Sequence, residues 1–418
     1  MDLMPGYKQS DVGVIPDDWD AKPLGEIGDS LIGLTYRPSE VRAYGTLVLR
    51  SSNVQSGALC FDDNVFVDTD IPDRIMVRPG DILVCVRNGS RDLIGKSALI
   101  DERAIGMTFG AFMGVFRSEY GHFLRHVFQS GIFKKQINEH LGATINQITN
   151  KSLNSFKVPL PPTDEERTEI AGALSDVDAL LATMDQLIAK KRDLKQAAMQ
   201  QLLTGKIRLP GFGGEWEAKK LEHAGCCLRG VSYRGDDDLS PHDTAFTKRL
   251  LRSNNVQNAF VVTDDIQFVN NQRVSQDQVL QKNDILICMA NGSKALVGKA
   301  GLFFIDDGFD YTFGAFMGCF RTDASIADPV FVFSLFQTGR YRDYINNLLA
   351  GSSINNLSPS SIESLEFSFP PYSEQVAIGR ALAEMDAELS MLEYRRDKTH
   401  NLKQAMMQEL LTGKTRLV

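Results

Sequence analysis

The stretch LKQAAMQQLLTGKIRL, Leu194 to Leu209, returns as LKQAMMQELLTGKTRL, Leu402 to Leu417, at an offset of 208 residues. A match of this length, 13 of 16 residues, marks a duplication, and how far it extends decides the fold. Working outward, GLTYR (Gly33 to Arg37) returns as GVSYR (Gly230 to Arg234), and LRSSNVQ (Leu49 to Gln55) as LRSNNVQ (Leu251 to Gln257). DILVCVRNGSRDLIGK (Asp81 to Lys96) returns as DILICMANGSKALVGK (Asp284 to Lys299), and TFGAFMGVFR (Thr108 to Arg117) as TFGAFMGCFR (Thr312 to Arg321). INQI (Ile145 to Ile148) and INNL (Ile354 to Leu357) follow, then the prolines ending at Pro162 and Pro371. Order is kept and the offset drifts only between about 197 and 209, so loops changed length while elements did not. The chain is one unit of roughly 200 residues, written twice.

Each repeat changes character partway along. Roughly residues 13–160 and 213–369 are rich in short β-branched or aromatic runs such as TLVLRSSNV, DILVCV and AFMGVF, punctuated by Gly, Asn and Asp, with helical stretches between them. These read as compact α+β domains. After the prolines the period switches. Ile170, Leu174, Val177, Leu181, Met184 and Ile188 step by four and three, and Ile378, Leu382, Met385, Leu389 and Leu392 take the matching places, which is a heptad seam. Each stretch predicts a helix of about 40 residues, near 60 Å long.

Charge orients the pair. The first helix begins with Asp164, Glu165, Glu166, Glu169, Asp176 and Asp178 and ends with Lys190, Lys191, Arg192 and Lys195. The second runs from Glu374, Glu384, Asp386 and Glu388 to Arg395, Arg396, Lys398 and Lys403. Antiparallel pairing sets acid against base along both and suits each helix dipole. The expectation is two similar α+β domains separated by two long helices forming an antiparallel coiled coil, with pseudo-two-fold symmetry. Two amphipathic helices each packed on its own domain are the alternative. The repeated LLTGK ends each helix with a glycine suited to a left-handed cap. Leu203, Thr204, Gly205 and Lys206, with Leu411, Thr412, Gly413 and Lys414, then form a surface offered twice, as a partner that binds twice would need.

Composition narrows the function. The chain has 418 residues, 43% hydrophobic and 23% charged, ordinary for globular domains. The start lacks a basic segment followed by an apolar run, and no stretch approaches the roughly 20 apolar residues of a membrane helix. A cytoplasmic protein is expected. The cysteines, Cys60, Cys85, Cys226, Cys227, Cys288 and Cys319, form no C-x-x-C pair and read as reduced thiols rather than metal ligands. A net charge of −8 argues against a nucleic-acid partner unless base is clustered locally.

No catalytic constellation emerges. NGSRDLIGKSA has the wrong spacing for a phosphate loop, and its second copy loses the hydroxyl after the lysine. TFGAFMG lacks the dinucleotide pattern and reads as a tightly packed strand. Asp81 and Asp284 head apolar strands without further acids at nuclease spacing and read as turn or capping acids. No histidine recurs at matched positions. What recurs is a set of polar and basic residues at strand ends: Tyr36, Arg37, Arg50, Asn53, Asn88, Ser90, Arg91 and Lys96, matched by Tyr233, Arg234, Arg252, Asn255, Asn291, Ser293, Lys294 and Lys299. Arg87 stands where the second copy has Ala290. Arg, Asn and Ser are the side chains that reach bases and phosphates, so these are candidate DNA contacts. The competing reading makes NGS a hairpin turn and pairs Arg50 and Arg252 with nearby acids.

The opening YKQSDVGVIPDDWDAKPLGEI, the PPTDEERTEIAGAL before the first long helix, and LLTGKIRLPGF together resemble the specificity subunit of type I restriction and modification systems. The resemblance covers essentially the whole chain. It implies a target-recognition domain over residues 1–160, a conserved helix over 161–205, a linker and second recognition domain over 206–369, and a second helix and tail over 370–418. It also implies a non-catalytic subunit that binds double-stranded DNA at a bipartite target and holds two methyltransferase and two restriction or translocase subunits. S-adenosylmethionine, ATP and Mg2+ would bind those partners. The family's two recognition domains are usually unlike each other, whereas these share long blocks. A coiled-coil DNA-binding repressor or scaffold without methyltransferase partners is the alternative; a free-standing methyltransferase would need an N/D-P-P-Y/F motif, which is absent.

Overall fold

The computed structural model describes residues 5–141, 146–350 and 355–417; Met1 to Met4, and the Ile145 and Ile354 that begin INQI and INNL, lie outside them. Contacts divide the chain into two compact units, residues 1–185 with 394–418, and residues 186–393. This differs from the division expected from sequence because each unit takes in a segment of both long helices, whose apolar residues enter its core.

In the first unit DILVCV supplies strand Ile82–Cys85, inside a four-stranded antiparallel sheet ordered Ser97–Leu99, Ile82–Cys85, Met113–Arg117, Asp29–Ile32. All four residues of that strand are buried because the sheet is covered on both faces. Ile82 and Val84 enter a cluster with Phe116, Phe123 and Phe133, while Leu83 and Cys85 enter another with Leu49, Phe109 and Met113. The period of two assigns alternate residues to the two cores. A second sheet pairs Thr46–Leu49 in parallel with Thr108–Phe109, then with Phe66–Val67. Strand Asp20–Pro23 pairs with Lys157–Leu160, which leads through the prolines into the long helix Asp164–Leu202.

The second unit repeats this plan. Ile285–Cys288 lies between Ala300–Leu302 and Met317–Thr322, with Ile285 and Ile287 in one cluster and Leu286 and Cys288 in another. Thr247–Leu251 again pairs in parallel with Tyr311–Phe313, and Glu217–Lys220 pairs with Glu366–Phe369 ahead of the long helix Tyr372–Leu410. Both units are α+β, as the mixed patterning predicts.

The two long helices run antiparallel within each unit. In the first, Lys403 meets Asp178 at 2.6 Å and Arg396 meets Asp185 at 3.3 Å; in the second, Lys191 meets Glu388 at 2.6 Å, and Lys195 pairs with Asp386. Partner numbers fall on one helix as they rise on the other, and acid faces base as the charge pattern requires. The seam is graded. Ile170 and Leu174, like Ile378 and Leu382, are buried in the globular cores, Ile188 and Leu389 are also buried, and Val177, Leu181, Met184, Met385 and Leu392 are half-covered. The first turns of one helix and the last turns of the other enter the same core, Ile170 and Leu174 with Met407, Leu410 and Leu411 in the first unit and Ile378 and Leu382 with Met199, Leu202 and Leu203 in the second, so the helices are paired as expected and not each packed on its own domain.

Candidate nucleic-acid interface

The recurring loops gather at one end of the central sheet of the first unit. Leu34 N–H donates to Phe109 O at 2.7 Å, Ala111 N–H to Leu34 O at 2.9 Å, and Gly110 N–H to Leu49 O at 3.0 Å. The Val86 and Arg87 amides both donate to Phe112 O at 3.1 Å, and Asn88 Nδ2 donates to Ser51 Oγ at 3.5 Å. Backbone hydrogen bonds therefore tie the segments carrying Tyr36, Arg50, Arg87 and Phe112 into one platform. The second unit makes the matching bonds: Val231 to Phe313, Gly314 to Leu251, and Met289 and Ala290 to Phe316.

Within that platform several candidates have structural duties. Asn53 is fully buried: its Oδ1 accepts the Arg50 N–H at 2.9 Å and its Nδ2 donates to the carbonyls of Cys60 and Asp63. Asn255 does the same with Arg252, Val262 and Asp264. Neither has an amide left for a base, so both are corrected from DNA contacts to loop organisers. Arg50 pairs with Asp63 and Arg252 with Asp265, each at 2.8 Å, the internal pairing that competes with a DNA contact, and each arginine side chain keeps about a third of its surface exposed. Arg91 donates to the carbonyls of Asn138 and Leu141 at the end of helix Gly131–His140, and Lys294 to that of Leu349, so both hold helix C-termini. Lys96 reaches Ser51 O at 3.4 Å, while Lys299 is half-buried.

Other candidates remain outward. Arg37, Arg87 and Ser90 are exposed, as are Arg234 and Ser293. Tyr36 and Tyr233 are half-buried, Tyr233 with its hydroxyl 3.4 Å from Gln267 Oε1. In the NGS turns, Asn88 and Asn291 accept the Ser90 and Ser293 amides at 3.0 Å, an Asx turn that projects each serine. Beneath the turns Cys85 and Cys288 are buried thiols pushed above their usual range by that burial.

One residue pair escaped the sequence reading. TFGAFMG is not a continuous packed strand; Gly110 and Gly314 begin a turn that leaves Phe112 62% and Phe316 71% exposed. The usable signal was the repetition itself: a phenylalanine two residues after the first glycine of an unchanged heptapeptide, out of step with buried Phe109 and Met113.

The acids imagined as nuclease residues are committed elsewhere. Asp81 is buried against Arg117, with two bonds of 2.8 Å, and accepts the Arg78 amide; Asp284 does the same with Arg321 and Gln281. The Asp81 carboxylate holds the Arg117 guanidinium above its ordinary range. Among the described residues no group of three or more His, Cys, Asp or Glu is placed to hold a metal, and no helix is long and apolar enough to cross a membrane.

Within LLTGK the leucines and Gly413 are corrected from an outward docking surface to core and joint residues, while Thr204, Lys206 and Lys414 stay exposed. Leu203 and Leu411 are buried in the cores of their units. Gly205 and Gly413 take φ of +68° and +67°, and a Cβ on Gly413 would lie 2.5 Å from Pro16 and 3.2 Å from Trp19. Thr204 and Thr412 bond back to the carbonyls of Gln200 and Gln408, so of each motif the lysine, Lys206 or Lys414, stays exposed with Thr204. The chain then turns an arginine inward. Arg208 pairs with Glu374 and Arg416 with Glu166, both glutamates fully buried in the first turn of a long helix, and each guanidinium lies over a tryptophan, Trp216 or Trp19.

The fold and its paired loop platforms define an internally duplicated α+β protein. The family described as the type I restriction modification DNA specificity domain matches residues 16–190 and 215–398, and the chain belongs to that family. It is 29% identical over 198 residues to the type I restriction enzyme EcoKI specificity subunit of Escherichia coli (strain K12), covering 47% of this chain and 42% of that protein. The StySPI specificity subunit of Salmonella potsdam is 29% identical over 202 residues, 47% of this chain and 43% of its own length. The chain thus spans less than half of these two relatives, whereas the putative MjaX specificity subunit of Methanocaldococcus jannaschii aligns at 23% over 98% of this chain and 97% of its own. Among solved structures, a type I restriction-modification S subunit from M. genitalium shares the fold with a TM-score of 0.61 at 14% identity, over 98% of this chain and 99% of that one.

Proposed function

We propose that this chain is the DNA-recognition subunit of a type I restriction and modification complex, each unit reading one half of a bipartite duplex target. The observation that carries this is the platform itself: in both units the same loops meet at one end of the central sheet and present exposed Arg, Ser and Phe side chains. Phosphate contacts position such a protein and groove contacts specify its sequence. Catalysis belongs to partners: methyltransferase subunits using S-adenosylmethionine, and restriction subunits using ATP and Mg2+. With the leucines of LLTGK buried, the long helices carry the larger part of the docking surface, where Leu187 and Leu194 stand exposed one heptad apart. Two copies of a methyltransferase subunit fit a duplicated chain.

The test is coexpression with a methyltransferase subunit and mapping of methylated adenines. The expected product is a split motif, no methylation by either protein alone, and loss of copurification on Leu187→Glu with Leu194→Glu. Methyltransferase activity that stays with this chain alone would overturn the proposal.

A further inference from the structure

Phe112 and Phe316 are large apolar side chains left in water at matched positions of both units. Neither is a loose loop residue. The Phe112 carbonyl accepts two amides and the next residue, Met113, is buried with its N–H on Gly110 O at 2.8 Å; Phe316 and Met317 are held likewise. With its backbone fixed this way and the next side chain buried, Phe112 points its ring out of the turn, and its exposure belongs to the platform. Its neighbours are polar and basic: the Arg87 guanidinium lies 5.3 Å from the Phe112 ring centroid, and the NGS turn adjoins it.

Resting on the recognition reading above, we propose that Phe112 and Phe316 are specificity-determining residues, each laying its ring on the C5 methyl group of a thymine in the major groove of one half-site. In the first unit Arg87, stacked on that ring, reads a neighbouring guanine. The C5 methyl is the apolar mark of the major groove, and guanine there presents two acceptors to a guanidinium. A wedge driven between base pairs is the other use of an exposed phenylalanine. It would strip Arg87 from the ring, whereas edge-on contact keeps both side chains in use. In the second unit Ala290 replaces Arg87, so the methyl contact stands without the adjoining guanine contact.

The experiment uses the reconstituted complex of this chain with its methyltransferase subunit and a duplex carrying the mapped methylation motif. Each thymine of the motif is replaced in turn by deoxyuridine, which removes only the methyl group. One position in each half should lose about four-fold in affinity, the worth of one buried methyl. Phe112→Ala should abolish the thymine–uridine difference in one half only, and Phe316→Ala in the other. Arg87→Ala should keep that difference while relaxing the choice of guanine beside it. Specific binding with no uridine-sensitive position overturns this inference alone, as does a Phe112→Ala loss equal on thymine and uridine duplexes, the mark of a wedge. A wild-type complex that binds no duplex specifically overturns the recognition reading and this inference with it.

Discussion

Replacing Arg416 by alanine tests the joint that closes the first unit. Arg416 Nη2 lies 2.8 Å from Glu166 Oε2, and the guanidinium also reaches Asp18 at 3.1 and 3.2 Å. Glu166 is fully buried, and the remaining side-chain donor on it is the Trp19 indole N–H at 3.3 Å. Breaking a buried ion pair costs about 3–5 kcal/mol, because the surviving charge stays desolvated. The Arg416 side chain is 32% exposed, so water reaches the vacated space and the figure falls to about 2–3 kcal/mol. The exposed Asp18 arm adds at most about 1 kcal/mol. Adding Glu166→Gln removes the stranded charge, and the double variant should recover about half of the loss, in a cycle that measures the coupling. The chain has two tryptophans, one beside each arginine, so 5-fluorotryptophan with fluorine NMR gives one reporter per unit during urea unfolding. Arg416→Ala should move the Trp19 resonance and lower the first unit's stability; Arg208→Ala should do this for Trp216. A change below about 0.5 kcal/mol, or a shift at the wrong tryptophan, refutes the reasoning.

His126 is fully buried in the first unit, where burial and then the adjacent Arg125 lower its pKa to about 3. The unfolded chain takes up a proton near pH 6.5 and the folded one does not, so stability is intact above about 6.5 and falls as pH drops through that value. By pH 5 this group should have cost about 2 kcal/mol, and His126→Ser, the residue of the second unit, should flatten the slope between pH 6.5 and 5 in urea titrations. Asp81→Asn should destabilise the first unit by about 2–4 kcal/mol by leaving Arg117 unpaired, yet with Arg117→Met as well should regain much of it; equal losses in both would refute the buried pair. The shared platforms predict half-sites that form nearly an inverted repeat, differing at one or two positions, and methylation motifs with wholly unrelated halves would show that only the divergent loops read bases. Inserting four residues near Lys190 should lengthen the gap between half-sites by about one or two base pairs or abolish binding, and an unchanged gap counts against the helices as spacers.

Much of this architecture follows from the chain read alone. The repeat, the change of period after the prolines and the antiparallel charge match are local or periodic properties, and a helix or strand displays them wherever it packs. DILVCV and DILICM announce strands through their β-branched content and flanking turn residues, whereas their burial on both faces comes from the layers the fold packs around them. The sorting of polar residues was different. Arg50, Asn53 and Arg87 all read alike as polar residues at strand ends, yet only the folded loop shows Asn53 buried on Cys60, Arg50 paired with Asp63 and Arg87 held out over Phe112. LLTGK read as a surface because its buried partners are remote: Arg416 finds Glu166 across 250 residues of sequence. Phe112 read as core because aromatic residues usually are, and only its turn reverses that. Periodicity records which side chains share a face, whereas satisfaction of a polar group depends on whichever distant donor or acceptor the fold brings beside it.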